Sequence, residues 1–275
     1  MLTVYEFWGK MKNFDSAVTY ASYLRVNELL SLQSPRSSGP EHDEMLFIVV
    51  HQTYELWFKC VLHELARAQQ LLELGDTHSS LPVLGRVRTI FKVLVSQVDI
   101  LETMTPLQFN SFRDRLEAAS GFQSVQFREL EAVLGRRDKS MVDHLEPNSE
   151  PQQRVQSAMN RPALFDSVIS YLTKRGHKMP VAVTARDFSE QYEANEEVQE
   201  SLANTYRNDP EAAMMLERLI DIDEGLQEWR YRHVKMVERT IGMKHGTGGS
   251  SGAAYLASTL FKPTFPDLWA VRSRF

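Results

Sequence analysis

The stretch from His42 to Leu74 contains no proline and no glycine, and its apolar side chains recur at helical intervals. One set of apolar residues is spaced by four, four, three and four positions, namely Leu46, Val50, Tyr54, Trp57 and Val61. Residues spaced in this way lie on the same side of an α-helix. The stretch therefore predicts one long helix with a buried face.

Most of the remaining chain also predicts helices. Helical patterns cover 87–104, 107–116, a segment after Gly121 that runs to about Leu134, 162–174, 189–206 and 210–241. The last has the clearest boundaries, because Asn208, Asp209 and Pro210 form a capping signal and Gly242 follows the helix. No segment shows the sustained alternation of a strand. We therefore predict an all-α fold in which residues 1–275 form a single large domain.

The bulk composition is that of a soluble globular protein, with 43% hydrophobic and 24% charged residues among 275. The net charge of −5 shows no basic excess for nucleic acid or an anionic membrane, so we expect neither partner. The longest apolar run, Met45 to Val50, is far shorter than the ~20 residues that span a bilayer. The N-terminus lacks a signal-peptide pattern, and Cys60 is the single cysteine, so we expect a cytoplasmic protein.

Three segments predict irregular structure. Residues 34–41 are rich in turn-forming residues, and 137–153 are polar enough for an exposed connection. Residues 246–252, GTGGSSG, offer backbone amides and hydroxyls that resemble an anion cradle. No Lys-Ser/Thr follows these glycines, so they are not a P-loop, and a flexible linker is an equally good interpretation.

Eight histidines are present, but HExxH, CxxC and CxxCH are absent, which disfavours a zinc protease and a c-type cytochrome. His51 lies one turn after Phe47 on the long apolar helix, so it is either a hydrogen-bonded core residue or a group that meets a ligand. His233 lies one turn after Trp229, a spacing that ordinary packing also explains.

Arg113 lies between Phe109 and Leu116 on one helical face. A guanidinium in apolar surroundings suits a carboxylate clamp, since arginine binds carboxylates through two parallel hydrogen bonds. An ordinary salt bridge with Asp or Glu explains the same pattern. The residues alone leave both interpretations open.

Four long segments resemble the tryptophan 2,3-dioxygenase family, in the order and at the spacing found there. The matching segments are TYASYLRVNELLSLQ from Thr19, PEHDEMLFIVVHQTYELWFK from Pro40, TPLQFNSFRDRLEAASGFQSVQFRELE from Thr105 and WRYRHVKMVERTIGMKHGTGGSSGAAYL from Trp229. Together they are highly specific. The resemblance implies a helical haem-binding domain of the tryptophan/indoleamine dioxygenase type.

The resemblance also implies roles for individual residues. His233 would be the axial ligand of a b-type haem, with O2 as co-substrate, and His51 would lie near the indole nitrogen. Arg113 would bind the substrate carboxylate, and Thr247 the ammonium and carboxylate end. The walls of the indole pocket would be Phe47, Phe109 and Leu116.

The resemblance also implies how the chain assembles. Members of the tryptophan 2,3-dioxygenase family are homotetramers in which the N-terminal segment of one subunit reaches a neighbouring subunit. Here that segment is about residues 1–30. Tyr20 and Tyr23 match family residues that enter the neighbour's site. The resemblance thus implies a homotetramer with shared sites.

The expected reaction is insertion of O2 across the indole C2–C3 bond of L-tryptophan, giving N-formylkynurenine. A rival is a haem monooxygenase of the same superfamily that forms oxindoles from alkylated indoles in a natural-product pathway. A haem sensor or carrier without catalysis is another alternative. Arg113 and Thr247 argue against it, since a sensor has no need to hold the ends of an amino acid.

Overall fold

The computed structural model describes residues 17–39, 41–117, 119–246 and 252–275, and no strand lies among them. In chain order the helices are α1 Tyr20–Leu24, α2 Val26–Leu29, α3 His42–Leu74, α4 Thr77–Leu101, α5 Pro106–Arg113, α6 Val125–Leu134, α7 Glu150–Met159, α8 Leu164–Lys174, α9 Val181–Thr184, α10 Glu196–Asn208, α11 Pro210–Ile241, α12 Ala253–Ala257 and α13 Pro266–Ala270. Short 3-10 turns occupy Asp114–Leu116, Gly121–Gln123, Lys139–Met141 and Val271–Arg274. The predicted all-α fold is confirmed.

The centre of the fold is a layer of three long helices in which α3 and α11 both pack against α4. Fully buried side chains at these contacts include Val61, Leu65, Leu72, Leu84, Leu94, Leu216 and Leu219. Gly225 permits the close approach of α11 to α4, because a Cβ atom at this position would lie 3.1 Å from the Cβ of Phe91. Because both pack on α4, the positions of α3 and α11 are fixed relative to each other.

The bounds of α3 and α11 agree with the predictions, whereas α4 begins at Thr77 rather than at residue 87. The Asp76 side chain caps this earlier start by accepting a hydrogen bond from the amide of Ser79 at 2.9 Å. Pro82 is tolerated near the helix start, where it removes one backbone hydrogen bond. The predicted start at 189 is also wrong, since α10 is capped by Asn195.

The polar segment 137–153 is only partly the exposed connection that was predicted. Ser149 caps α7, with Pro151 in the first turn. Met141 and Val155 are buried in a small second core against α6. The segment was misjudged because its few apolar residues are widely spaced in sequence and meet only in the fold.

No described helix combines the length and apolar character needed to cross a bilayer.

A buried carboxylate ties the C-terminal segment to α11. Asp223 is fully buried and accepts hydrogen bonds from the amide of Thr264 at 2.8 Å, the amide of Phe265 at 3.1 Å and the indole of Trp269 at 2.8 Å. Gln227, one turn along α11, is a further donor at 3.1 Å. These bonds fix the packing of α13 beneath the centre of α11.

Asp223→Ala is expected to lower the free energy of unfolding by about 3 kcal/mol or more, because each unpaired buried donor costs about 1–3 kcal/mol. Urea unfolding followed by circular dichroism measures the change. Glu224→Ala, an exposed neighbour on the same helix, is the matched control and should leave the midpoint unchanged. Equal midpoints for the two variants would show that Asp223 does not anchor the C-terminus.

Asp209 caps α11 and is held by two partners from the end of α8. The Arg175 guanidinium donates to both carboxylate oxygens at 2.7 Å, and the His177 imidazole lies 3.1 Å away. The hydrogen bonds from Arg175 hold the pKa of Asp209 well below its usual range, although partial burial opposes the shift. The ionised form is therefore favoured in the folded protein.

This lowered pKa makes stability depend on pH with a definite sign. As pH falls, Asp209 is protonated near pH 4 in the unfolded chain and only at a lower pH in the folded chain. The contribution of Asp209 to the free energy of unfolding is therefore present above about pH 4 and declines as pH falls further. Asp209→Asn should therefore lose unfolding free energy less steeply than the wild type between about pH 4 and pH 2. Parallel curves for the two proteins in acid titrations of stability would contradict this.

Candidate active site

One large cavity lies between α3, the end of α4, α5, α6, α11 and α12. It contains about 1700 Å³ of empty space, including the part that is open to solvent. Aromatic and aliphatic side chains form most of its wall, and a few charged and polar groups project into it. Such a combination is typical of a site for a cofactor or an organic substrate.

Six of the nine residues that the sequence singled out line this cavity. They are Phe47, His51, Phe109, Arg113, Leu116 and His233. They come from α3, α5, the 3-10 turn after α5, and α11, so the fold joins groups far apart in the chain. The Phe47 ring lies 4.1 Å from the His51 ring and 5.8 Å from the Phe109 ring, centre to centre.

His51 is held in one orientation by its own helix. Its Nδ1 lies 2.7 Å from the carbonyl oxygen of Phe47. Because a carbonyl only accepts, Nδ1 carries the hydrogen and donates it, which leaves Nε2 as an acceptor when the ring is neutral. Burial lowers the pKa of His51, and the Phe47 carbonyl and the Glu55 carboxylate only partly offset this. The site thus favours a neutral imidazole, whose acceptor nitrogen has no donor among the described residues.

His233 also presents a neutral ring to the cavity. The Trp229 ring stacks on it from one turn earlier in α11, with centres 5.1 Å apart and planes 20° apart. Burial, with a smaller contribution from His51, lowers the pKa of His233 to about 4. No described residue forms a hydrogen bond to this imidazole. A neutral imidazole is the form that binds metal ions.

Arg113 is half-buried, and its Nη2 donates to the carbonyl oxygen of His245 at 2.6 Å. Among the described residues no carboxylate forms a salt bridge with it. The alternative of an ordinary salt bridge therefore has no support in the described part of the chain. Most of its guanidinium donors have no acceptor among the described residues.

Two of the remaining three predicted residues, Tyr20 and Tyr23, do not line the cavity of this single chain. Tyr20 and Tyr23 project from α1, where 78% and 75% of their surfaces are exposed. Thr247 lies outside the described residues. The chain returns to the end of α11 at Gly252, where a Cβ atom would lie only 2.5 Å from the carbonyl oxygen of Lys244. This close approach requires glycine and places Tyr255 of α12 at the cavity.

Sequence reasoning missed two polar groups of the cavity wall. Glu55, one turn after His51, accepts hydrogen bonds from Ser124 at 2.5 Å and from the Gln126 side chain at 2.8 Å, which joins α3 to the start of α6. Its position four residues after His51 could have indicated this. The second is an ionic cluster around Glu131, whose members come from α6, the loop after it, and α11.

A family model for tryptophan 2,3-dioxygenase matches residues 8–162 and 203–275. A tryptophan 2,3-dioxygenase of Herpetosiphon aurantiacus is 56% identical over 259 residues, covering 94% of this chain and 98% of the relative. One from Anaeromyxobacter sp. (strain K) is 58% identical over 257 residues, covering 94% and 96%. One from Caulobacter vibrioides is 45% identical over 261 residues, covering 94% and 98%. The chain belongs to the tryptophan 2,3-dioxygenase family.

Haem is the cofactor that the resemblance to the tryptophan 2,3-dioxygenase family implies, and the residues of the cavity fit it. Among the described residues no group of three or more His, Cys, Asp or Glu side chains could hold a bare metal ion. A porphyrin supplies four ligands of its own, so the protein needs to add only one imidazole from an apolar wall. His233 meets that requirement, because it is neutral, unpaired among the described residues and enclosed by the cavity.

Proposed function

We propose that the chain is a haem-dependent dioxygenase that inserts O2 across the indole C2–C3 bond of L-tryptophan to give N-formylkynurenine. The observation that carries this proposal is the meeting of three groups in one cavity, namely the neutral His233, the acceptor nitrogen of His51 and the free donors of Arg113. Membership of the tryptophan 2,3-dioxygenase family gives this arrangement its substrate.

His233 would hold a b-type haem through one imidazole nitrogen. The cofactor, when bound, binds O2 and supplies the oxidising chemistry. The protein contributes the position of the substrate. Since Trp229 stacks on the His233 ring, it restricts rotation of the imidazole about its side chain.

His51 would orient the indole by accepting a hydrogen bond from its N–H at Nε2. The Phe47 carbonyl fixes the His51 tautomer that this requires. The Phe47 and Phe109 rings, with Leu116, would form the apolar wall against the indole. In this arrangement His51 is a positioning group and need not remove the indole proton.

Arg113 would bind the substrate carboxylate through paired hydrogen bonds, exchanging its present contact with the His245 carbonyl for a charged partner. Thr247 would bind the ammonium and carboxylate end of the amino acid. His51 would thus hold the indole, and Arg113 and Thr247 the amino-acid end. Fixing both ends of the substrate places the reacting bond at the same point of the cavity each time, which is a large part of what an enzyme contributes.

We also propose a cytoplasmic homotetramer. The N-terminal part of the described chain exposes unusually many apolar side chains, and burial against a neighbouring subunit would remove them from water. The most exposed are Val18, Tyr20, Tyr23, Leu30 and Leu32. Tyr20 and Tyr23 would then reach the site of the neighbour, which agrees with their absence from the cavity of their own chain.

The activity is tested by incubating the ferrous protein with L-tryptophan and ¹⁸O2 and analysing the product by mass spectrometry. The expected product is N-formylkynurenine with two labelled oxygen atoms. An oxindole with one labelled atom would overturn the proposal in favour of a monooxygenase. A protein that binds haem and O2 but forms no product would favour a sensor or carrier.

A further inference from the structure

One end of the cavity contains three arginines around a single buried glutamate. Arg128 Nη1 lies 2.6 Å from Glu131 Oε2, whereas Arg136 Nη1 at 2.9 Å and Arg230 Nη2 at 3.0 Å share Oε1. All four side chains line the cavity that also contains His233. This Glu131 cluster joins α6, the residues after it, and α11.

The Glu131 cluster carries an excess of positive charge. Burial raises the pKa of Glu131, but attraction to Arg128, Arg136 and Arg230 outweighs it, so the pKa is lowered and the carboxylate is ionised. Arg136 has a second carboxylate partner, Asp138, at 2.8 Å. Three cations thus face two carboxylates, and no further acidic side chain of the described chain forms an ion pair with these arginines. One positive charge is unbalanced.

Arg128 shows where a missing partner would bind. Its residue surface is only 5% exposed, and its Nε is buried without a hydrogen-bond partner among the described residues. Its Nη2 makes a long contact of 3.4 Å to the carbonyl oxygen of Phe122. A buried N–H donor without an acceptor is unfavourable, and the cluster has one positive charge in excess, so the site favours an anion supplied from the cavity.

The position of the cluster indicates which anion this is. Arg230 lies three residues before His233 on α11, so both face the cavity from one helix. A haem held by His233 carries two carboxylates on one edge of its ring. Arg113, which we assign to the amino-acid carboxylate, comes from α5 and forms no ion pair with the Glu131 cluster.

Resting on the proposed haem-dependent function, we propose that the Glu131 cluster binds one propionate carboxylate of haem, with Arg128 as its principal donor. The carboxylate neutralises the unbalanced charge and occupies the free Nε–H of Arg128. The cluster thereby fixes the rotation of the porphyrin about the bond between His233 and iron. That rotation decides which edge of the ring faces the substrate.

The test compares loss of haem with loss of its dimethyl ester, in which both propionates are neutral. The full-length protein is loaded with either group, and transfer to excess apomyoglobin is followed by absorbance. Arg128→Met should accelerate loss of haem about tenfold or more, whereas loss of the dimethyl ester should be unchanged from the wild type. Arg154→Met, which removes the ion pair between Arg154 of α7 and Glu129 of α6, is the matched control and should change neither rate.

If Arg128→Met accelerated the loss of haem and the loss of its dimethyl ester equally, the proposal would be overturned, because Arg128 would then support the shape of the cavity rather than bind a carboxylate. Unchanged haem loss with a raised KM for L-tryptophan would also overturn it, since the cluster would then hold the substrate. If Arg128→Met does not fold, Arg230→Met provides the same comparison. Failure of the proposed function is distinct, because it shows in the wild type itself, either as no retained haem or as no doubly labelled product, whereas this test compares the variant with the wild type.

Discussion

Replacement of His233 by alanine should leave a folded protein that no longer retains haem. Among the described residues no cluster of His, Cys, Asp or Glu side chains could bind a metal ion, and the other imidazole that lines the cavity, His51, is the one that we assign to the substrate. Loss of the axial imidazole therefore removes the protein–iron bond without a substitute. Haem content is measured from the Soret absorbance per mole of protein after gel filtration, and it should fall to near zero.

His63→Ala is the matched control for this experiment, since His63 is an exposed histidine on α3. It should retain haem as the wild type does. Helical circular dichroism of His233→Ala should match the wild type, which excludes global unfolding as the cause. A His233→Ala protein with a five-coordinate haem spectrum and full turnover would refute the assignment of the ligand.

Replacement of Arg113 by alanine should weaken the binding of L-tryptophan by about 2–4 kcal/mol, because the substrate carboxylate would enter the cavity without its cationic partner. This corresponds to a fall in kcat/KM of roughly 30- to 1000-fold. Steady-state kinetics over a wide range of L-tryptophan concentrations measures the effect. The proposal gives Arg113 no contact with haem, so the haem content of this variant should stay unchanged.

Arg115→Ala provides the comparison, because Arg115 is exposed two residues further along the same turn. It has the same charge but does not line the cavity. We expect wild-type kinetics for this variant. A KM for L-tryptophan that is the same in Arg113→Ala, Arg115→Ala and the wild type would contradict the carboxylate clamp.

The parts of the fold that follow from local chemistry were predictable. The bounds of α3 and α11 agree with the structure because long helical periodicity and end signals act over a few residues. The predicted start of α4 at residue 87 was wrong because a helix that is capped by Asp76 can include Pro82 near its beginning. Helix α7 was missed because its buried side chains become a core only when α6 packs on them.

The site was predictable only to the point where distant segments must meet. His51 and Phe47 share a helix, so their proximity follows from their spacing. The choice for Arg113 between a salt bridge and a ligand clamp depends on α5 facing the cavity, which no local pattern encodes. Arg230 and Glu131 are 99 positions apart, so their ion pair is a property of the fold.

The cofactor is the clearest example of what local chemistry leaves undecided. One axial imidazole has no sequence spacing to detect, so His233 resembles any packed histidine until its environment is known. The resemblance to the family supplied the assignment. The structure adds a physical reason for it, since the ring is neutral, enclosed and without a described hydrogen-bond partner.

The visible spectrum of the purified wild-type protein, titrated with haem, tests most directly whether His233 binds haem next to an L-tryptophan site. We expect one haem per chain, a Soret band that moves on reduction, and a second change when L-tryptophan is added to the ferrous protein. A colourless protein that does not take up added haem would contradict the assignment of the cavity.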